Sequence, residues 1–114
     1  MQGSCCVDWT TRICSFFEAE AVYYTHHAKA EMQAEEFGEV RDHEVHEAVC
    51  AGEVLQRYPA DLPYPSALIL GITEAGRPLH VVCAHDAPDQ RVIIVTVYEP
   101  DPAKWIDWRT RRTP

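Results

Sequence analysis

Three β-prone segments, residues 67–73, 78–85 and 91–98, follow one another with only short connections between them. Each is rich in Val, Ile and Leu and bounded by Gly, Pro or Asp, so the pattern predicts an antiparallel three-stranded meander. A two-residue turn at Ala75-Gly76 would set Ile72 opposite Leu79, Leu70 opposite Val81 and Leu68 opposite Cys83. A loop over residues 86–90 would then place Ile93, Val95 and Val97 across from Cys83, Val81 and Leu79. That face is wholly apolar and is expected to cover the helices.

The helices lie earlier in the chain. Trp9, Ile13, Phe16 and Phe17 recur at helical spacing and predict an amphipathic helix from about residue 8 to 20. A short β-prone run, Val22-Tyr23-Tyr24-Thr25, precedes a second helix that starts near His26 with Thr25 as its cap and is expected to stop at Gly38. A third helix is expected after Asp42, burying Val45, Ala48 and Val49 and ending at Gly52. Residues 53–58 read as the first long strand, and Pro59, Pro63 and Pro65 mark an irregular loop. Helices first and strands afterwards predict an α+β fold, with N-terminal helices on one face of a twisted, mainly antiparallel sheet of about four strands.

The 114 residues suit a single domain spanning 1–114, with residues 1–6 expected to be disordered and 107–114 forming a basic tail. No long apolar run and no signal-peptide pattern occur, so a soluble, cytoplasmic protein is expected, without membrane association. The five cysteines form no C-x-x-C pair and are expected to be reduced thiols. The net charge of −8 argues against tight nonspecific binding to nucleic acid, and no DNA binding is expected of the chain by itself. The acid is concentrated in residues 1–60, net −7, against −1 for residues 61–114.

Under the two-residue turn, the second sheet face carries Gly71 beside His80, with Thr96 on the other flank, Tyr98 near Pro78 and Arg77 at the turn. Gly71 would leave a shallow trough in front of His80. An imidazole, a phenol and a guanidinium suit acid and base work on a phosphodiester, while a structural histidine is the bland alternative.

The chain resembles a family of small bacterial proteins with a His-Ala helix start, a Gly-Arg-Pro-Leu-His-Val-Val strand and a Thr-Val-Tyr-x-Pro ending. Here these are His27-Ala28, residues 76–82 and Thr96-Val97-Tyr98-Glu99-Pro100, with Pro63-Tyr64-Pro65-Ser66, Trp105 and the arginine tail in addition. Members look like distant relatives of RelE- and MqsR-type toxins, which share a RelE/barnase-like fold and cut messenger RNA. The resemblance implies a toxin-like endoribonuclease of a toxin–antitoxin pair, acting on RNA, with a small zinc-finger antitoxin as protein partner. It carries over His27, Arg77, His80 and Tyr98 as candidate catalytic residues. Glu31 and Glu36 stand where relatives carry arginine.

Lys29, Arg57, Arg109, Arg111 and Arg112 are the candidate RNA-binding cations. No cofactor and no metal are expected: His43 and His46, three apart on a helix, have only His26 or Glu47 as further candidate ligands, and no four-ligand spacing emerges. Trp105 and Trp108 suit one helical turn against the sheet edge. The alternative function is a noncatalytic binding domain that docks a protein partner through the trough or the acidic helical face.

Overall fold

The computed structural model describes residues 9–112. The elements run α1 (Trp9–Glu18), β1 (Val22–Tyr24), α2 (His26–Ala34), α3 (Asp42–Cys50), β2 (Glu53–Tyr58), β3 (Ser66–Ile72), β4 (Pro78–Asp86), β5 (Arg91–Tyr98), β6 (Trp105–Ile106) and β7 (Thr110–Arg111). The fold is α+β, as expected. The main sheet has five strands in the order β1-β5-β4-β3-β2, with β1 parallel to β5 and every other pair antiparallel. The strands beyond the expected four are the short run at Val22–Tyr24 and a separate C-terminal hairpin of β6 and β7.

Local chemistry fixes the helix ends. Thr25 Oγ1 accepts the Ala28 N–H at 3.0 Å, and the Thr25 N–H donates to the Ile94 carbonyl, so one residue closes β1 onto β5 and opens α2. α2 stops at Ala34, short of Gly38, because the Val40 N–H returns to the Met32 carbonyl and Glu35 turns its carboxylate to the Phe37 and Glu99 N–H groups. Gly38, at φ 115°, serves the turn that follows. In α3 the Glu44 carboxylate accepts the Arg41 N–H at 2.9 Å, which makes Arg41 the cap and Asp42 the first helical residue.

The helices pack on one sheet face. Ile13, Met32, Val45 and Val49 meet Ile69, Leu79, Val81, Ile94 and Val97 in a continuous buried cluster. Burial of each such side chain contributes about 1.5–3 kcal/mol.

The register differs from the expected one by a single residue. The β3–β4 connection has three residues, Glu74-Ala75-Gly76, rather than two: Thr73 N–H donates to the Arg77 carbonyl at 2.9 Å, and Gly76 takes φ 89°. Ile69 therefore faces Val81, Leu70 faces His80 and Gly71 faces Leu79. Because side chains alternate, the slip exchanges the two faces of β3, while Leu79, Val81 and Cys83 of β4 keep the core face expected of them. Gly71 points at the helices, where a Cβ would lie 1.8 Å from the Ala48 carbonyl oxygen, and it opens no trough beside His80. A bulge at Val95 corrects the next pair, giving Cys83 opposite Ile94 but Val81 opposite Val97.

Three further expectations are corrected. Cys14 and Cys50 are joined in a disulfide, their Cα atoms 5.0 Å apart, because α1 and α3 lie side by side; Cys83 is a buried free thiol. Residues 107–112 are part of the β6–β7 hairpin and its anchors rather than a free tail. Trp105 lies in β6 and Trp108 in the turn after it, so they form no helical turn. The segment expected to be disordered, 1–6, lies outside the described residues.

Candidate functional site

Residues Leu70, His80 and Tyr98 form one row across β3, β4 and β5 on the sheet face away from the helices. The C-terminal hairpin folds over this row. Trp105 meets the His80 ring edge-on at 4.5 Å, and His80 has no solvent exposure. Asp107 and Trp108 both adopt positive φ, 50° and 62°, at the centre of a tight turn closed by the Arg109 N–H on the Ile106 carbonyl at 2.9 Å. For Trp108 this left-handed conformation costs roughly 1–2 kcal/mol. It turns the Trp108 carbonyl to 2.6 Å from His80 Nε2.

That hydrogen bond settles the tautomer. A carbonyl only accepts, so Nε2 carries the proton, and in the neutral ring Nδ1 is an acceptor. Nδ1 lies 2.9 Å from Tyr98 Oη, which therefore donates to it. Burial pushes the His80 pKa down, against the smaller opposing effect of the Trp108 carbonyl, and the ring is neutral at pH 7. Burial raises the Tyr98 pKa, Arg111 opposes this, and Tyr58 and Glu31 add to the rise. Trp108 C=O, His80 and Tyr98 thus form a chain of three hydrogen-bonding groups.

Tyr98 borders a cavity of about 250 Å³ whose walls include Lys104, Trp105 and Arg111. Arg111 stands over the Trp105 ring at 5.6 Å, and neither Arg111 nor Lys104 has an ion-pair partner among the described residues. Four carboxylates also border it, but three are engaged. Glu35 accepts two backbone N–H groups, Glu99 holds Arg77, and Asp101 accepts the Ala103 N–H.

The other expected residues are placed differently. Arg77 is enclosed by Glu99 at 2.6 Å and Glu44 at 3.2 Å, and it also donates to the Gly38 and Glu39 carbonyls. It is a structural clamp between the β3–β4 turn, α3 and the end of β5, with its donors turned to these partners. His27 is exposed on α2 and pairs with Glu31 at 3.3 Å, with no hydrogen bond to His80 or Tyr98. Lys29 pairs with Asp42 and covers Tyr24, Arg109 pairs with Glu53, Arg112 donates to the Pro102 carbonyl, and Arg57 stands exposed on the edge strand β2. Of the candidate cations, only Arg111 reaches the Tyr98 cavity. Lys104 joins it, a residue that sequence pattern does not single out because nothing local ties it to Tyr98.

Glu31 accepts the Val97 N–H at 3.0 Å. Together with Glu35 it satisfies the edge of β5 beyond the end of β1. This is a backbone-capping use that residue type alone does not reveal.

A second hollow, about 460 Å³, opens on the same sheet face toward Tyr23, Leu62, Tyr64 and Arg91. Arg91 at its rim is held by inaccessible Asp86 behind it, at 2.8 Å. Burial raises the Asp86 pKa, but the hydrogen bonds of Arg91 and the Asp89 N–H outweigh it and hold the carboxyl below its ordinary value. In sequence Asp86 reads only as a turn residue.

The metal-ligand types converge elsewhere. Ligand atoms of Cys14, His46 and Cys50 lie within 4.8 Å of one another, so His46 meets cysteines rather than His26. Among the described residues no helix is long and apolar enough to cross a membrane. No curated protein and no solved structure matches the chain. A family model does match, over residues 24–99, from the last residue of β1 to just past β5; the chain belongs to that family, described as a domain of unknown function, DUF4258.

Proposed function

We propose that the chain is a toxin-like endoribonuclease that needs no metal for cleavage, with Tyr98 and His80 as its proton relay and Arg111 and Lys104 as its phosphate contacts. The observation that carries this reading is the hydrogen-bond chain itself. A base oriented by a third group and bonded to a hydroxyl is the arrangement by which enzymes activate an oxygen nucleophile. Here Trp108 orients His80, and His80 holds Tyr98 at the cavity.

The chemistry balances as follows. The ribose 2′-OH gives its proton to Tyr98 Oη while the phenol proton passes to His80 Nδ1. The 2′ oxygen bonds to phosphorus, the P–O5′ bond breaks, the departing 5′ oxygen takes a proton from solvent, and His80 returns its proton through Tyr98 to solvent, which restores the relay. The product ends are a 2′,3′-cyclic phosphate and a 5′-hydroxyl. The high pKa of Tyr98 suits a relay in which the phenolate never accumulates, and the neutral His80 is ready to accept. Guanidinium and ammonium groups then face the charge that develops on the phosphate. This reading places the chain in the cytoplasm, beside its RNA, with a zinc-finger antitoxin as its inhibitor.

Tyr98→Phe keeps the ring and removes only the relay oxygen, so it tests the reading without opening the core. Wild-type chain induced in bacteria is expected to arrest growth, and the purified chain to cut RNA with cyclic-phosphate ends. Tyr98→Phe is expected to lose about 10²–10⁴-fold in cleavage rate. Full activity in Tyr98→Phe, or no cleavage by wild type, would refute it. The second reading, a noncatalytic domain that docks a protein, is favoured by the acid concentrated in residues 1–60, net −7. An inert wild type that binds an encoded neighbour protein with little salt dependence is its signature.

A further inference from the structure

α1 and α3 lie side by side with two ligand pairs facing each other. Cys14 and Glu18 are four residues apart on α1, their Sγ and Oε2 atoms 3.8 Å apart. His46 and Cys50 are four apart on α3, and the spacing puts each pair on one helix face. The two cysteines are joined, and the ligand atoms of Cys14, Cys50 and His46 lie within 4.8 Å of one another. His46 stacks on Phe17 with centroids 5.2 Å apart and planes at 19°, which fixes its ring. Among the described residues neither His46 ring nitrogen has a hydrogen-bond or ion-pair partner. Glu18, His46 and Cys50 all border one open groove of about 500 Å³, so the corner is reachable from solvent.

Two thiolates, one imidazole and one carboxylate are a zinc-type ligand set. Facing helices are also where helical proteins build such centres. We infer that the reduced chain binds one Zn²⁺ through Cys14, Cys50 and His46, with Glu18, which lies beside Cys14, swinging in as the fourth ligand, and that oxidation to the Cys14–Cys50 disulfide expels it. Zn–S bonds of about 2.3 Å set the sulfurs of a tetrahedral site roughly 3.8 Å apart. Separating the sulfurs to that distance needs only side-chain rotation once the disulfide opens.

The steps balance with a dithiol as reductant. The protein disulfide takes two electrons and two protons from the dithiol, which becomes a disulfide. Zn²⁺ binding then releases the two thiol protons. Reoxidation of the bound thiolates by a small-molecule disulfide returns the protein disulfide, two reduced small-molecule thiols once solvent supplies two protons, and the free ion. The site is therefore a zinc-or-disulfide switch at the joint between α1 and α3, away from Tyr98.

The test is titration of the full chain with Co²⁺ and then Zn²⁺, in oxidised form and after reduction by a phosphine without free thiols. The reduced chain is expected to take one Co²⁺, with thiolate-to-cobalt charge-transfer bands and tetrahedral visible bands, and Zn²⁺ is expected to bleach both. The oxidised chain is expected to show none of these. Cys14→Ser and His46→Ala are expected to weaken binding by more than the roughly 10–100-fold typical of an outer-shell partner. Cys5→Ser/Cys6→Ser and His26→Ala are expected to leave it unchanged. Circular dichroism checks each variant, and if Cys14→Ser does not fold, the comparison of oxidised with reduced wild type decides alone. Equal binding by the oxidised and reduced chains, no thiolate bands, or retention of binding in Cys14→Ser would each overturn the inference.

Discussion

Replacing Arg77 by methionine removes a guanidinium whose side chain is only 16 % exposed, from between Glu44 at 16 % and Glu99 at 20 %. Methionine fills much of the same space, so the change is electrostatic more than steric. Two carboxylates lose their counter-charge, and the Gly38 and Glu39 carbonyls lose a donor. Removing one partner from a largely buried pair costs about 3–5 kcal/mol, and the residual exposure of all three groups puts this case at about 3 kcal/mol. For a chain of this size about 1 kcal/mol moves Tm by about 4 °C, so the fall should be about 12 °C. Thermal denaturation at pH 7 followed by circular dichroism measures it. Adding Glu99→Gln to Arg77→Met should cost less than the sum of the single changes, since the first substitution has already orphaned that carboxylate. A fall of less than about 4 °C would show that these carboxylates remain well solvated and that Arg77 is free to leave them. The clamp assignment would then be wrong, and Arg77 would return as a phosphate ligand.

Gly71→Ala drives a Cβ into the Ala48 carbonyl at 1.8 Å, against backbone that has no rotamer to change. Chemical denaturation should show a loss of about 3 kcal/mol or more, at the upper end of overpacking costs, and a loss under about 1 kcal/mol would restore the two-residue turn and its trough. His80 supplies a pH signature. Its folded pKa is depressed, so as pH falls below about 6.5 the unfolded chain takes up the proton first, and stability drops until pH passes the folded value. His85, also depressed by burial and by Arg12, acts in the same window. Denaturant melts between about pH 7.5 and 5 should show this loss, smaller in His80→Asn, and a flat wild-type profile would contradict the burial of the ring.

Strand and helix positions were legible because they rest on local pattern. The span of β5 and of β2, the cap at Thr25 and the choice of Val45, Ala48 and Val49 as a buried face all follow from residues a few positions apart. The register was not, since a two-residue and a three-residue turn differ by one hydrogen bond, that from Thr73 to Arg77. That one bond decides which face each residue of β3 occupies. His80 and Tyr98 could be named from chemistry, and the sheet does pair them, although through the Val95 bulge that sequence pattern does not announce. Their third partner is a backbone carbonyl at position 108, a group every residue carries, set apart here only by its conformation. The Cys14–Cys50 bond, 36 residues apart in sequence, arises only from how two helices pack.

The acid content of the chain weighs less against an anionic substrate than composition implies. Glu31 and Glu35 turn inward to cap the exposed N–H groups at the end of β5, Glu44 and Glu99 neutralise Arg77, and Asp86 neutralises Arg91. Arg91 offsets the charge of Asp86 and Arg77 offsets one of its two carboxylates, while Glu31 and Glu35 keep their charge beside the N–H groups that they cap. The cations at the Tyr98 cavity, Lys104 and Arg111, have no ion-pair partner among the described residues. At the cavity these two groups stand against Glu35, Glu36 and Asp101, with Glu99 held by Arg77, so the local balance is far less acidic than the net −8 of the whole chain. Lys104→Glu and Arg111→Glu, both at exposed positions, should then weaken RNA binding while leaving Tm nearly unchanged. The slope of log affinity on log salt should fall by about 0.7 for each phosphate of single-stranded RNA that the variant no longer neutralises. An unchanged slope would mean that phosphate, if bound at all, is held elsewhere on the molecule.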